Sequence, residues 1–330
     1  MAIKQLTSGS SVKQISILLT IIALILWAYS ITQVKLNIGF YGLIHSFPIS
    51  FFIALGILTI ASVILWTSKE RHQMLLFLQL LILIVSLWLL PLLIGSRPFP
   101  GDAYRNLDLI NAVVEGNHIF YDWYLFWPGA FILFPMVVKL GAVDLQSIMN
   151  MSAFFVQLLF LLPLYVFLRN LLGENHINYC WGGLWIFSLA NWVGEGYFSA
   201  QGTAYFLLLV LLALVTTPSF WERKSKSFAL LFLIVITFAT ISITHLLTSL
   251  SALCILVVLC VVKRSKRLAL IVAVCLLLMI SWDIIGSGGY VTKQIMSQPF
   301  VTTVSTPPPS ETVPPPSETV PPPSETVPPP

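Results

Sequence analysis

The sequence predicts an all-α polytopic membrane protein, and three observations carry that prediction. Mean hydropathy is +0.91, with 57% hydrophobic and only 9% charged residues, outside the range of soluble domains. Apolar runs recur along the chain at close to the length of about 20 residues that a helix needs to cross the hydrocarbon core. Lipid offers the backbone no hydrogen-bond partner, so such runs form helices rather than open sheet. The third observation is where the basic residues lie, which is between runs and on alternate connections.

Nine candidate spans follow in order, at residues 15–34, 43–66, 74–95, 148–168, 179–193, 203–220, 228–243, 246–262 and 268–286. The first, after Lys13, ends near a weak cleavage signal, "AYS". Many spans follow it, so a signal-anchor is expected rather than a cleaved leader. The two spans flanking "THLLTS" are short, and a single broken element is the alternative. With the N-terminus inside, the inner segments hold Lys4, Lys13, Lys69, Arg71, Arg169, Arg223, Lys224, Lys226, Lys263, Arg264, Lys266 and Arg267. The outer segments hold Lys35, Arg97, Arg105, Lys139 and Lys293, twelve against five. That asymmetry is what the positive-inside rule requires of this threading. Trp66, Trp192, Trp221 and Trp282 fall near span ends, as interfacial anchors do. The expected location is the plasma membrane, with a cytoplasmic N-terminus.

This threading puts one long loop, residues 96–147, on the outer side. It concentrates charge that the rest of the chain avoids. Within it, "PGDAYRNLDLINAVVEGN" reads as a short amphipathic helix with Asp102 as N-cap and Gly116 as C-terminal cap glycine. Leu107, Ile110 and Val114 form its apolar stripe. The next run, "YLFWPGAFILFPMVVKLG", carries Pro128 and Pro135. As a full span it would put neighbouring basic loops on opposite sides, so it reads as an interfacial helix. Residues 1–290 form the membrane domain and 291–306 an outer juxtamembrane segment. Residues 307–330 repeat "PPPSETV", an extended polyproline tail that cannot build a core. Cys180, Cys254, Cys260 and Cys275 lie in apolar runs without metal-ligand spacing and read as small buried hydrophobes.

The loop's polar residues admit a plain reading and a chemical one. In the plain reading Asp102 caps the helix and Arg105 pairs with Asp108. The chemical reading starts from Asp102 following the third span by about seven residues, at the outer membrane surface. Moving a sugar from a lipid phosphate to a hydroxyl needs a base for the hydroxyl proton. It also needs cationic or donor groups at the departing phosphate. Asp102 or Asp108 supplies the base, and Arg97, Arg105 or His118 stands near phosphate. No nucleotide-binding glycine loop appears, which suits a lipid-linked donor.

The layout resembles the GT-C superfamily of integral-membrane glycosyltransferases over roughly residues 70–286. The resemblance rests on "PGDAYRNLD", "YDWYLFWPGAFIL" and "LGAVDLQSIMNMSAFFVQLLFLLPLYVFLRNLLG". In that family the first long outer loop opens with a juxtamembrane acidic residue and a short helix. An aromatic-proline segment, an interfacial helix and a new span then follow. The resemblance implies Asp102 as catalytic base, a polyprenyl-phosphate sugar as donor, and a glycan or protein acceptor. Tyr104, Tyr121, Asp122 and Trp127 then join the substrate-binding set. One acidic residue stands where many members carry a pair, which argues against a metal-dependent variant, and no cofactor is expected. Such members usually continue with further spans, whereas here the proline repeat follows, which suggests a shortened or inactive member.

Glu195, Tyr197 and Gln201 lie in a later outer connection, and His245 lies in "THLLTS". Ionisable groups at membrane depth are functional candidates, so Glu195, Gln201 and His245 enter the substrate-binding set. Against each stands a structural role, such as a helix-end histidine bonded to a freed carbonyl. Asp283, one turn from the end of the last span, is expected to cap or snorkel. The pI of about 8.9 reflects basic span ends and gives no reason to expect nucleic acid. Two other function classes compete. One is a ligase or polymerase of lipid-linked glycans, relying on Arg105 and His118 rather than a carboxylate. The other is a non-enzymatic scaffold presenting the proline-rich tail. An ion-coupled transporter is disfavoured because the spans read as almost pure Leu, Ile, Val and Phe.

Overall fold

A computed structural model describes residues 9–37, 43–94, 101–116, 123–190, 198–221 and 227–297. Among these there is no strand; the protein is all-α. Helix α1 is Gly9–Thr32, α2 is Ile49–Trp66, and α3 runs Gln73–Ile84, then through a π turn at Val85–Leu89 into Leu90–Leu93. Helix α4 is Gly101–Glu115, α5 is Gly129–Gly141, α6 is Leu145–Leu172, α7 is Ile177–Ala190 and α8 is Ala200–Thr216. Helix α9 is Ser227–Thr244 and α10 is Leu246–Lys263. Helix α11 is Lys266–Ser281 with a π turn at Trp282–Gly286, and α12 is Tyr290–Ser297. The proline repeat lies outside the described residues.

Local chemistry explains where helix ends differ from the expected spans. The second helix starts at Ile49 rather than residue 43, because Pro48 suits the entry to a helix and not its interior. Asp144 accepts a hydrogen bond from the Ser147 amide at 2.8 Å and starts α6 three residues early. Ser199 does the same for α8 through the Gly202 amide at 2.9 Å. Pro218 forces Thr217 into an extended conformation, so α8 stops at Thr216. At "THLLTS" there are two helices, not one broken element: His245 is extended and caps α10.

Among the described residues five helices are long and apolar enough to cross a membrane: α1 from Ser11, α2, α6, α10, and α11 with its π turn. The remaining apolar helices are shorter, among them Gln73–Leu89, Ala200–Thr216 and Phe228–Thr244. The 14 residues of α7 span only about 21 Å. The chain is an all-α membrane protein.

Hydrogen bonds between helix ends set the directions. Asn178, at the start of α7, donates to the carbonyls of Ser68 and Glu70 at 2.9 and 3.1 Å. Asn170, near the end of α6, donates to Ala213 near the end of α8 at 3.2 Å. Arg267, at the start of α11, reaches the Phe220 carbonyl beyond α8 at 2.7 Å. These contacts tie together one end of the bundle, which carries Lys69, Arg71, Arg169, Lys263, Arg264, Lys266 and Arg267. The opposite end is held by Ser30 to Ser50 at 2.8 Å, Asn106 to the Phe198 carbonyl at 3.4 Å, and Trp282 Nε1 to the Phe126 carbonyl at 3.1 Å. Helices α1–α3 and α6–α11 therefore alternate in direction, and α4, α5 and α12 sit at the end opposite the basic one.

The interior is less uniformly apolar than the sequence suggests. Gln79 on α3 is 0% exposed. Its amide nitrogen donates to Ser16 and Thr20 of α1, each at 2.8 Å, and its oxygen accepts from Ser62 of α2 at 2.9 Å. One glutamine thus pins three helices with every polar atom used. Gln157 on α6 is equally enclosed, yet neither atom of its amide has a protein partner; nor has the buried Ser188 hydroxyl on α7. Phe160, one turn beyond Gln157, packs on Phe187 beside Ser188, with ring centroids 6.0 Å apart. The two unpartnered groups therefore lie at the same level of the bundle.

Candidate functional site

Helix α4 is amphipathic in the way its sequence requires. Ala103, Asn106 and Ile110 are buried on one side, against Phe131, Leu145, Met149 and Phe198. Asp102, Tyr104, Arg105, Asp108, Asn111 and Glu115 are exposed on the other. Asp102 lies inside the first turn rather than at the cap, because the helix already includes Gly101. Its backbone carbonyl accepts from the Asn106 amide at 2.8 Å, and a carboxylate in the first turn is favoured by the helix dipole. Gly116 ends the helix at φ +76°, the left-handed cap expected of it. Ion pairs among the described residues include His72–Glu70 and Arg169–Glu174, both at the opposite end of the bundle. Asn106, absent from the expected site, anchors α4 to the start of α8 through the Phe198 carbonyl. Gln201 lies half-buried three residues beyond Phe198, beside that anchor.

Helix α5 connects this face to the rest of the end. Its buried residues are Ala130, Phe131 and Pro135, while Ile132, Leu133, Met136, Val137 and Leu140 are exposed. It is apolar on both sides, as a helix between protein and lipid would be. Its first residue, Gly129, lies against Thr244 at the end of α9. A Cβ there would fall 2.2 Å from the Thr244 Oγ1 and 3.0 Å from its Cα, so no other residue fits without displacing backbone.

The residue after Thr244 is His245. Its Nδ1 accepts from the Thr248 amide at 3.3 Å and lies 2.8 Å from the Thr248 hydroxyl. A ring nitrogen that accepts a backbone N–H leaves the proton of a neutral imidazole on Nε2. Burial pushes the His245 pKa below its ordinary value. His245 thus caps α10 by accepting a backbone N–H, whereas the sequence had suggested a bond to a freed carbonyl.

Beside it, the ends of α9, α10 and α11 enclose a cavity of about 170 Å³. Trp127, 7% exposed, forms one wall, and Ser242, Ser249, Trp282, Asp283 and Thr292 contribute to others. A second, more open cavity of about 520 Å³ lies on the far side of Phe126 and Tyr290 and reaches Lys293. The Tyr290 ring separates the two, with its centroid 5.4 Å from Phe126 and 5.9 Å from Trp127. Asp283 caps α12: its carboxylate accepts from Ser287 Oγ, the Val291 and Thr292 amides and Thr292 Oγ1 at 2.7–3.3 Å.

Two polar places therefore share one end of the bundle, linked through α5: the exposed face of α4, with Asp102, Tyr104, Arg105 and Asp108, and the cavity beside Trp127 and His245. Arg97, His118, Tyr121, Asp122 and Glu195 lie outside the described residues. Among the described residues no cluster of three His, Cys, Asp or Glu side chains is placed to hold a metal ion. The chain matches no protein family's profile, no curated protein and no solved structure.

Proposed function

We propose that this is a nine-span membrane glycosyltransferase, moving a sugar from a polyprenyl-phosphate donor to an acceptor hydroxyl at the outer face of the plasma membrane. In this reading the N-terminus and the basic end of the bundle are cytoplasmic, and α4, α5, the cavities and the proline-rich tail are outside. The shorter helices α3, α7, α8 and α9 also cross, within the bundle the five long helices make. The observation that carries the reading is α4. An otherwise charge-poor chain places Asp102, Arg105 and Asp108 on one exposed helix face, at the end opposite its basic residues.

The chemistry follows from that placement. The acceptor oxygen attacks the anomeric carbon while its proton passes to the Asp102 carboxylate, and the bond from that carbon to the phosphate oxygen breaks. The departing lipid phosphate carries the negative charge, which Arg105 faces at the headgroup level. Asp108 is the alternative base one helical turn and a half along. Arg97, Tyr104, His118, Tyr121, Asp122, Trp127, Glu195, Gln201 and His245 complete the proposed substrate-binding set. No metal or other cofactor takes part. Asp102→Asn should lower transfer in isolated membranes by about a hundredfold or more, with the amount and thermal stability of the protein unchanged. Full transfer by that variant would remove Asp102 as the base.

A further inference from the structure

The cavity between α9, α10 and α11 has a wall whose hydrogen-bonding character is one-sided. The Ser242 hydroxyl donates to the Phe238 carbonyl at 3.0 Å and the Ser249 hydroxyl to the Leu246 carbonyl at 2.7 Å. The Thr292 hydroxyl donates to Asp283 at 2.7 Å, and Trp282 Nε1 to the Phe126 carbonyl at 3.1 Å. Each of these hydrogens is committed to the protein, and Ser242 and Ser249 are only 3% and 0% exposed, so the acceptors left facing the cavity are the Thr292 hydroxyl and the Asp283 carboxylate. Among the described residues no Lys, Arg or His lines it, and the charged group is the Asp283 carboxylate. The rest of the wall is indole and aliphatic, from Trp127, Trp282, Met279 and Ile280.

We infer that this cavity is a sugar subsite for a ring that is neutral or amino-substituted, and that it excludes acidic and phosphorylated sugars. An acceptor-only wall needs a ligand that donates, and the rim of a sugar ring is a set of hydroxyl donors. Indole surfaces suit the C–H faces of the same ring, in the usual pattern of an apolar pocket with a few placed polar groups. Engineered cavities of about 150 Å³ hold a six-membered carbon ring, so about 170 Å³ admits one ring. The Asp283 carboxylate keeps its charge with no cation among the described lining residues, so it repels an anion and attracts an ammonium. The donor phosphate therefore lies outside this cavity. The inference rests on the transferase reading only for where the sugar comes from.

Saturation-transfer NMR on the full-length protein in detergent micelles tests it, with a methyl hexoside, a 2-amino-2-deoxyhexose and a hexose 6-phosphate as probes. The first two should bind, the amino sugar several-fold more tightly, and the phosphate should be at least about tenfold weaker than the neutral ring. Ser249→Leu and Met279→Trp, two independent ways of filling the cavity, should each abolish binding, and whichever retains the parent melting behaviour is the one read. Asp283→Asn should erase the preference for the amino sugar. Tightest binding by the sugar phosphate, or binding that survives a folded filled variant, overturns the subsite. Absence of any sugar binding while membranes still transfer sugar removes the subsite and leaves the transferase. Binding with the expected charge order but no transfer supports the subsite and removes the transferase.

Discussion

The cluster around Gln79 and the cavity around Trp127 are both polar places inside an apolar bundle, and they use hydrogen bonds in opposite ways. At Gln79 three donors and acceptors from α1 and α2 meet one amide, and nothing is left over. At the cavity the hydroxyl hydrogens point back into the protein, and the Thr292 hydroxyl and the Asp283 carboxylate remain as acceptors. A saturated cluster has no use for a visitor; its value lies in fixing helix register. An acceptor-lined cavity gains only when a donor arrives. Gln157 and Ser188 are a third case, enclosed and unpartnered, at a net cost to stability.

Variants break or sharpen this contrast in a definite order. The largest effect is expected at Gly129→Val. A side chain there must push α5 off Thr244, and overpacking of this kind costs about 3 kcal/mol, read as lost thermal stability in micelles together with lost sugar binding. Next is Gln79→Leu, which removes three interhelical hydrogen bonds and should destabilise by about 2 kcal/mol while leaving sugar binding by the folded fraction intact. Gln157→Met is expected to go the other way. Replacing two unpartnered atoms with a side chain of similar volume should be neutral or stabilising by up to about 1 kcal/mol. A loss there as large as at Gln79 would mean that Gln157 has a partner after all.

The smallest effect is a pH dependence. The folded His245 titrates below its free value of 6.5 because it is buried. The unfolded chain therefore takes up the proton first, and this contribution to stability is lost as pH falls from about 6.5 toward the folded pKa. His245→Asn keeps a capping side chain without a titrating group, and should flatten that part of the stability curve below about pH 6.5.

The parts of this fold legible in the sequence were those governed by neighbours along the chain. Apolar runs located the long helices, Gly116 marked an end, and the stripe through Ile110 gave the buried side of α4. Asp283 was recognisable as a possible cap because it stands at the end of an apolar run. What escaped was set by contacts distant in sequence. Gln79 bonds to groups 59 and 63 residues away, so an isolated glutamine in a leucine-rich run gave no sign of three partners. Asn106 read as one more polar residue on α4 until Phe198 folded against it. Nothing local marks Gly129, because its need to be glycine arises from Thr244, more than a hundred residues on. Asp102 lies in the first turn rather than at the cap because the helix begins two residues earlier than expected, at Gly101.

Everything proposed for the polar end depends on which side of the membrane it occupies, and one labelling measurement decides that. With the four cysteines replaced by serine or alanine, single cysteines are introduced at Asn111 on the exposed face of α4 and at Arg264 in the α10–α11 turn. Intact cells are then treated with a membrane-impermeant maleimide. The account expects Asn111→Cys to label in intact cells and Arg264→Cys to label only after the membrane is opened. Labelling of Arg264→Cys in intact cells with Asn111→Cys protected would invert the topology and contradict an outer-face transferase.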